Sequence, residues 1–299
     1  MIKLKYQKRF KLFSLLLVIW IALHYCLGCG TDVYFETADI QAYLDAPFSV
    51  CYIDVGQGDC SLIQCGGEYM LIDSGEAEYC DVLDDYFISF GIDMLEYVII
   101  THPHSDHVGG MNKVLEAVCV NNIIMPDIEN DIKEYELLIE TIEDKDLTVT
   151  RPFSGDVYIL GDGIFTILAP ISDTYEELNN YSIVLKFDYM DTSFLFTGDC
   201  QEQAEEELMK SGYNLKSDVL KVGHHGSRTS SSPGFISSVS PVIGIIQVGE
   251  DNTYGHPHSD VIDVLADNNV SCYCTADYGS IIIISDGSNL IMMTEKAFH

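Results

Sequence analysis

The feature that most constrains this chain is the segment VIITHPHSDHVGG, residues 98–110, which places three histidines and an aspartate within six positions. The apolar residues before the motif are typical of a strand, and the two glycines after it are typical of a turn. The polar residues are His102, His104, Asp106 and His107. Neutral imidazole and carboxylate are the usual ligands of zinc and similar ions, whereas packed imidazoles would repel each other when protonated. The segment therefore predicts a metal site at a strand end.

Later histidines occur in two further clusters, KVGHHGS at 221–227 and NTYGHPHSD at 252–260. No histidine lies between His107 and His224, but the segment FLFTGD in that interval ends on Asp199. Each of these segments follows or ends an apolar run that reads as a strand. Because loops at strand ends commonly carry function, we expect these clusters to join the first motif at one rim of a sheet.

From Phe48 onward the sequence alternates between short apolar runs and segments with apolar residues at helical spacing. FSVCYIDV, EYVIIT and SIIIISD predict strands, whereas IKEYELLIETIED and QEQAEEELMKSG predict helices. Many short strands with helices between them predict an α/β fold in which helices cover two sheets.

The composition is strongly acidic, with 47 aspartate and glutamate residues against 15 lysine and arginine residues and a formal net charge of −32. A surface with this charge repels nucleic acid in general, and it is compatible with a site that binds cations. An acidic surface also serves solubility, so the charge alone does not identify a partner. The apolar content of 47% is sufficient for a large core.

The N-terminus reads as a targeting segment over residues 1–29. Its first eleven residues include five basic residues and no acid, and the apolar stretch LFSLLLVIWIAL follows. This order matches the n-region and h-region of a secretory signal. Two outcomes stay open: cleavage and lipidation at Cys29, as in a bacterial lipoprotein, or retention as a membrane anchor. In both cases we expect a polar tether over residues 30–47 and a domain over residues 48–299, anchored to the bacterial cell membrane on its extracytoplasmic side.

The motifs resemble those of the metallo-β-lactamase superfamily. THPHSDHVGG matches its H-x-H-x-D-H signature, and TGD matches its metal-bridging aspartate. More narrowly, YIDVGQGDCSLI, KVGHHGS and NTYGHPH resemble the hydrolase domain of the DNA-uptake protein ComEC and its stand-alone relatives. The resemblance covers nearly all of the predicted domain. It implies an αββα four-layer sandwich with two divalent metal ions, zinc or manganese, at one rim.

The resemblance also implies a role for each residue of the first motif. His102 and His104 match ligands of the first metal, and Asp106 and His107 match ligands of the second. Asp199 matches the ligand that bridges the two metals. Asp106 and Asp199 are therefore the carboxylates that we expect to be catalytic.

The late histidines have less uniform matches. His256 matches a late ligand of the second metal. The superfamily commonly has a further first-metal ligand between the first motif and the bridging aspartate, where this chain has no histidine, so either His224 or His225 is the expected replacement. We expect His258 either to support a ligand or to face the substrate, and we expect His258 or a metal-bound water to protonate the leaving group.

Other polar residues near the motifs have predicted supporting roles. Lys221 and Ser227 are expected to hold an anionic substrate oxygen. Either Asp54 or Asp59 is expected to orient a ligand or the glycine-rich turn, and Asp73 resembles an aspartate that holds a ligand imidazole. A polar role in the site is also open for two residues near the histidine gap, Asn180 and Ser182.

The implied chemistry is hydrolysis by a hydroxide that bridges two metal ions and attacks phosphorus or a carbonyl carbon. We expect a phosphodiesterase or nuclease, with DNA among its substrates and with the membrane as a partner through the N-terminal anchor or lipid. Two alternatives stay open: a metallo-hydrolase of another ester or thioester, and a non-enzymatic component of DNA uptake. The sequence names no protein partner.

Overall fold

The computed structural model describes Phe35 and residues 37–296. The targeting segment predicted for residues 1–29 lies outside the described residues, so that expectation stays a prediction. Within the described part of the chain, no helix is both long enough and apolar enough to cross a membrane.

Two sheets form the centre of the fold. The first sheet contains eight strands: β1 (Phe48–Tyr52), β2 (Ser61–Cys65), β3 (Glu68–Ile72), β4 (Met94–Ile99), β5 (Cys119–Ile124), β6 (Val149–Thr150), β14 (Ile281–Ser285) and β15 (Leu290–Thr294). The second sheet contains seven strands: β7 (Val157–Leu160), β8 (Gly163–Ala169), β9 (Val184–Tyr189), β10 (Thr192–Phe196), β11 (Val219–Lys221), β12 (Ile243–Ile246) and β13 (Ser271–Cys274). Their spatial orders are β15-β14-β1-β2-β3-β4-β5-β6 and β13-β12-β11-β10-β9-β8-β7.

The helices connect and cover these strands. In chain order they are α1 (Thr37–Asp45), α2 (Cys80–Phe90), α3 (Ser105–Val108), α4 (Met111–Ala117), α5 (Lys133–Asp144), α6 (Glu202–Ser211), α7 (Pro233–Val239), α8 (Ser259–Asp267) and α9 (Thr275–Tyr278). Short 3₁₀ turns occur at Ala77–Tyr79, Leu178–Tyr181 and Gly223–Gly226.

Parallel pairing in both sheets decides where the predicted site forms. Strands β3, β4 and β5 are parallel neighbours in the first sheet, and β10, β11 and β12 are parallel neighbours in the second. Parallel strands present their carboxyl ends at one edge of a sheet, so the loops that follow them are neighbours. The predicted metal-binding motifs all follow these strands, in loops or in short helical turns such as α3.

The main core lies between the two sheets. Alternate residues of β1, Phe48, Val50 and Tyr52, are fully buried in this layer, as expected when successive side chains of a strand point to opposite faces. The ring centroid of Phe48 lies 4.9 Å from those of Phe187 and Phe194, which belong to the second sheet. Aromatic packing of this kind holds one sheet on the other.

Helices form the two outer layers. On the second sheet, Leu208 of α6, Phe235 of α7 and Leu265 of α8 pack in one buried cluster with Leu195 and Leu220. On the first sheet, α2, α4 and α5 connect successive parallel strands, and right-handed crossovers place such helices on the same face. The predicted αββα four-layer sandwich is therefore confirmed.

Helix α1 lies where the sequence predicted part of a polar tether. Tyr43 of this helix is fully buried, and its hydroxyl donates to the carbonyl oxygen of Leu62 at 3.3 Å. Its ring stacks on that of Phe90 with a centroid distance of 4.5 Å. The packed part of the chain thus begins before residue 48, because Tyr43 of α1 packs against Phe90 of α2.

Candidate metal centre

Loops from both sheets meet at one edge of the sandwich. The loop after β4 carries His102, the loop after β10 carries Asp199, and the loop after β11 carries His225. The backbone N–H of Ile183 donates to the carbonyl oxygen of Thr101 at 2.9 Å, which connects the two sheets at this edge. The structure thus brings together motifs that are far apart in sequence, as the clustering of histidines predicted.

Four side chains form a compact group of metal-binding atoms, which we call the donor cluster: Asp106, His107, Asp199 and His225. One ligand atom from each residue lies within 4.8 Å of all the others. His107 Nε2 is 3.2 Å from Asp199 Oδ1, and His225 Nε2 is 3.1 Å from Asp106 Oδ2. Two ligands bound at about 2.0–2.1 Å to a tetrahedral ion are separated by roughly 3.3 Å, so these distances fit a shared cation.

Unpaired buried atoms support the same interpretation. His107 Nε2 and Asp199 Oδ1 are both buried and neither has a hydrogen-bond partner, although they face each other. Burial lowers the pKa of His107, but the nearby Asp199, Asp73 and Asp106 carboxylates outweigh it and raise this pKa well above its usual value. The cluster therefore attracts positive charge, and its mixture of imidazole and carboxylate donors fits a divalent metal.

Hydrogen bonds fix the two cluster imidazoles in the tautomer that metal binding requires. His107 Nδ1–H donates to Asp73 Oδ2 at 2.7 Å, and His225 Nδ1–H donates to the carbonyl oxygen of Gln247 at 2.9 Å. In both rings Nε2 is the nitrogen directed at the donor cluster, and a metal ion that replaces its proton would bind there. Partners of this kind orient a ligand and increase its basicity, so the role implied for Asp73 agrees with its position.

A second group of histidines lies on the other side of Asp199. His102 Nε2 and His224 Nε2 are 3.9 and 3.6 Å from Asp199 Oδ2, and His102 Nε2 is 3.0 Å from His104 Nδ1. Burial, together with the neighbouring His107, holds the pKa of His102 well below its usual range, so this ring is neutral and able to bind a metal. Asp199 therefore lies between two groups of ligands, in the position of a bridging carboxylate.

An unusual backbone separates the adjacent His224 and His225. Both residues adopt left-handed conformations, with φ of 50° and 53°, which are costly for side chains other than glycine. The turn directs His225 into the buried donor cluster and leaves His224 partly exposed beside Asp199. Of the two histidines left as alternatives from the sequence, His224 is therefore the one that lies outside the donor cluster, with its Nε2 3.6 Å from Asp199 Oδ2.

The structure does not bring His256 into the donor cluster, where the sequence predicted a ligand of the second metal. His225 lies there instead, and the His256 ring is 6.3 Å from the His225 ring and stacks on Tyr254. His258, predicted to protonate a leaving group, accepts a hydrogen bond from the backbone N–H of Arg228 at 3.2 Å and does not line the cavity. The cause is the loop after β12, which places His256 at the cavity and His258 behind it, directly before α8.

Lys221 and Ser227 do not have the substrate-binding positions that we expected. Lys221 is only 2% exposed, and its ammonium group forms an ion pair with Asp59. Ser227 is also buried, and its hydroxyl oxygen accepts hydrogen bonds from Thr229. Neither residue lines the cavity. A buried ammonium needs an acidic partner, so Lys221 stabilises the carboxylates beneath the site instead of binding a substrate.

The two aspartates of the glycine-rich turn have separate roles. Asp54 Oδ1 accepts a hydrogen bond from the backbone N–H of Gly56 at 3.2 Å, which shapes the turn. Asp59 lies between Lys221 and His225, with Oδ1 3.2 Å from His225 Nδ1. Asp59 is therefore the residue of this turn that contacts a metal-binding imidazole, an alternative that the sequence left open.

Asn180 and Ser182 support the site without entering the donor cluster. Asn180 Oδ1 accepts a hydrogen bond from the backbone N–H of Gln201 at 3.1 Å. Ser182 Oγ accepts from the backbone N–H of Asp199 at 3.1 Å and lies 3.3 Å from His102 Nδ1. Ser182 thus positions one residue from each sheet.

A cavity of about 320 Å³ opens above the metal-binding residues. The side chains that line it are Gln57, His104, Ser105, Asp106, Asn130, Ile132, Asn179, Asp199, His224, His225, Tyr254 and His256. Sequence reasoning missed Asn179, Tyr254 and the carbonyl of Gln247 that holds His225. Asn179 is directly before Asn180 in the histidine gap, and Tyr254 is within the NTYGHPH segment, so both lay beside recognised signals.

Known sequences resemble this chain over most of its length. Residues 53–249 match the model of the family described as "Metallo-beta-lactamase superfamily". ComE operon protein 3 of Bacillus subtilis (strain 168) is 29% identical over 260 residues, which cover 81% of this chain and 34% of that protein. Recombination protein 2 of Haemophilus influenzae is 31% identical over 220 residues, which cover 71% of this chain and 26% of that protein. The chain thus spans only about a third to a quarter of these relatives.

Solved structures show the same architecture at low sequence identity. The metallo-beta-lactamase fold protein YhfI from Bacillus subtilis superposes with a TM-score of 0.52 at 13% identity, covering 83% of this chain and 100% of YhfI. CmlA, a diiron beta-hydroxylase from Streptomyces venezuelae, also has a TM-score of 0.52 at 13% identity, covering 76% of this chain and 52% of CmlA. At such identities the similarity concerns the fold alone.

These comparisons confirm the expected family resemblance. The family match covers more than half of the 299 residues and contains the first motif, Asp199 and His225. The chain therefore belongs to the metallo-β-lactamase superfamily of metal-dependent hydrolases.

Proposed function

We propose that this chain is an extracytoplasmic phosphodiesterase, with nucleic acid as its expected substrate class. The observation that carries the proposal is the position of Asp199, which contacts both the donor cluster and the second group of histidines. Its Oδ1 is 3.2 Å from His107 Nε2, and its Oδ2 is 3.5 Å from His225 Nε2 and 3.6 Å from His224 Nε2. The names of the relatives support the choice of substrate, because they include a ComE operon protein, a recombination protein and competence protein ComA of Neisseria gonorrhoeae.

The residues divide into two ligand sets. Asp106, His107 and His225 would hold one ion, with Asp199 shared between both ions. The other ion would bind to three histidines: His102, His104 and His224. When bound, two divalent ions lower the pKa of water and stabilise charge on the attacking and leaving oxygens of a phosphodiester. Imidazole and carboxylate ligands suit zinc, and manganese is a second candidate.

The chain's own groups would orient the substrate around this centre. His256 Nδ1 and Asn179 Oδ1 are buried atoms without a hydrogen-bond partner, and both residues line the cavity. Each can form a hydrogen bond with a substrate group placed above the ligands. His256, instead of His258, is thus the late imidazole that would contact the substrate.

The extracytoplasmic location is part of the same proposal. Its support is the N-terminal order of a basic segment followed by an apolar stretch, which is typical of secretory signals and membrane anchors. Lipidation at Cys29 and retention of an uncleaved anchor remain the two forms of attachment. Labelling with radioactive palmitate and protease treatment of intact cells would distinguish them, and degradation only after cell lysis would contradict this location.

The test of the activity uses the full chain in mild detergent. Metal content is measured after reconstitution with Mn²⁺ or Zn²⁺, and hydrolysis of bis-p-nitrophenyl phosphate and single-stranded DNA is assayed. We expect two metals per chain and metal-dependent cleavage that Asp199→Ala abolishes. Asp263→Asn, at an exposed position on α8, is the matched control and should leave both measurements unchanged. Two metals without diester cleavage would reject the phosphodiesterase, and less than one metal would reject the two-metal site.

One observation favours a second candidate, a hydrolase of a carboxylic ester or thioester. Among the described residues, those that line the cavity include no lysine or arginine to neutralise a phosphate. A less charged ester would not need such a group. Assays with p-nitrophenyl acetate and an acyl thioester would support this candidate if their kcat/KM exceeded that of the phosphodiester.

A further inference from the structure

Tyr254 forms an aromatic edge of the cavity that the proposed chemistry does not use. Its side chain lines the cavity, yet the residue is 65% exposed. The Tyr254 and His256 rings are nearly parallel, with a centroid distance of 5.6 Å and an interplanar angle of 19°. This offset stacking leaves much of the tyrosine surface available to a ligand.

The loop that carries Tyr254 is held firmly at both ends. The side chain of Asn252 donates to the carbonyl oxygens of Gly249 and His256, both at 2.8 Å, and accepts from the backbone N–H of His256 at 2.9 Å. A Cβ atom on Gly249 would lie 2.8 Å from the backbone nitrogen of Gln57, so this end of the loop packs closely on the glycine-rich turn. The position of the Tyr254 ring therefore follows from a fixed backbone.

The charges around the cavity limit how a substrate can gain affinity. An acidic groove of about 900 Å³ shares Asn130 with the cavity. Its acidic residues are Asp127, Glu129, Asp131, Glu136, Glu140 and Glu143. Arg151 also lines the groove, but its guanidinium is 3.4 Å from the carboxylate of Asp127. Because the acidic groove repels further phosphates and the cavity lining includes no lysine or arginine among the described residues, affinity for the parts of a substrate beyond the metal ligands has to come from uncharged contacts.

We propose that Tyr254, stacked on His256, holds a planar ring of the substrate, and that the site consequently selects phosphodiesters of nucleosides over phosphodiesters of aliphatic alcohols. This inference rests on the proposed phosphodiesterase function and adds the recognition of the base to it. Stacking of a base on an aromatic side chain is tolerant of sequence, because every base has a π face. The acidic groove further implies that a nucleic-acid strand approaches over Tyr254 and away from α5.

The experiment compares two substrates that differ only in their bases. The full chain, loaded with Mn²⁺, is assayed on thymidylyl-thymidine and on the corresponding abasic dinucleotide. We expect about a 10-fold lower KM for the substrate with bases, equivalent to about 1.4 kcal/mol. Tyr254→Ala should remove most of this preference, and Tyr254→Phe should retain it because the phenyl ring still stacks. Ile88→Ala removes a side chain of similar exposure, 67%, outside the cavity and should preserve the preference.

Two results would overturn the inference: equal KM values for the two dinucleotides in the unaltered protein, or an unchanged preference in Tyr254→Ala. A higher kcat/KM for glycerophosphocholine than for thymidylyl-thymidine would also overturn it. If neither dinucleotide is cleaved, the phosphodiesterase proposal fails. The role of Tyr254 is then tested separately by measuring ligand binding. In that case, calorimetry should show that thymidine 5′-monophosphate binds about 10-fold more tightly than deoxyribose 5-phosphate, and that Tyr254→Ala removes the difference. Equal binding would reject the stacking role.

Discussion

The histidines at the floor of the cavity, His107 and His225, differ from the histidine at its rim, His256. Each floor histidine donates a ring N–H to a fixed acceptor, whereas the rim histidine contacts the rings of neighbouring side chains. His107 and His225 on the floor are buried and are held by Asp73 and the Gln247 carbonyl. His256 at the rim is only partly buried and contacts the rings of its neighbours. The floor is therefore organised before a ligand arrives, while the rim presents ring surfaces to whatever occupies the cavity.

The floor also concentrates charge. Asp59, Asp73 and Asp199 are all buried close to His107, and the ammonium group of the buried Lys221 pairs with Asp59. Carboxylates at this density are stable only with cations between them. Under the proposed function, the floor would therefore hold the metal ions and the rim would contact the substrate.

The largest effect is expected from a pair of histidine substitutions that compares the floor of the cavity with its rim. His225→Ala should lose one of two metals and reduce diester hydrolysis about 1,000-fold, about 4 kcal/mol, because the floor loses a ligand. His256→Ala should retain both metals and reduce hydrolysis only about 10-fold. Metal analysis and steady-state kinetics on the same preparations make the comparison. A metal lost in His256→Ala and retained in His225→Ala would restore the original sequence prediction for His256.

A second test separates the structural and substrate-binding interpretations of Lys221. Lys221→Met leaves the Asp59 charge buried without its partner, so the free energy of unfolding should fall by about 3–5 kcal/mol. Lys186→Met is the matched control: Lys186 is also buried, but its partner Asp188 is partly exposed, so we expect a loss of about 1 kcal/mol or less. Urea denaturation measures both values. A normal stability with a raised KM in Lys221→Met would show that Lys221 binds substrate after all.

A smaller effect is expected from Asp73, which does not belong to the donor cluster but accepts a hydrogen bond from His107. Asp73→Asn weakens the acceptor that orients His107, so metal affinity should fall about 10- to 100-fold, measured by competition with a chelator. Asp218→Asn is a suitable control, because Asp218 accepts two hydrogen bonds from Ser193 away from the site. Equal metal affinity in the Asp73 variant and the unaltered protein would mean that the floor does not depend on this hydrogen bond.

The smallest effect should come from His258. This residue accepts a backbone hydrogen bond and lies outside the cavity lining, so His258→Ala should change kcat for a phosphodiester by less than about 3-fold. The dependence of kcat on the leaving-group pKa is the sharper measurement. A steeper dependence in His258→Ala would support its originally predicted role as a proton donor.

The sequence predicted the fold, and which motifs lie at strand ends, because both depend on local patterns. The alternation in β1, the helical spacing over Lys133–Asp144 and the strand-end positions of His102 and Asp199 are all visible in short segments. The structure adds the joining of the two sheets at one edge, which the separate motifs only suggested.

The differences between the predicted and the observed site concern features that depend on backbone conformation and long-range contacts. Nothing in GHHG specifies that both histidines adopt positive φ values, and this turn decides that His225 takes the place expected for His256. From the sequence, Lys221 is expected to hold an anionic substrate oxygen, which requires an accessible side chain. Its burial follows from pairing with Asp59, which lies far away in the sequence.

The division of ligands between the two sheets has a consequence for how the protein matures. The first motif follows β4, whereas Asp199 and His225 follow β10 and β11, so neither half of the chain holds a complete set of ligands. During synthesis, a nascent chain that ends before residue 225 lacks a donor, and an unfolded chain presents no assembled site. Metal uptake at the proposed site would therefore be a late event that reports completed folding, and for a chain exported unfolded it would take place on the far side of the membrane.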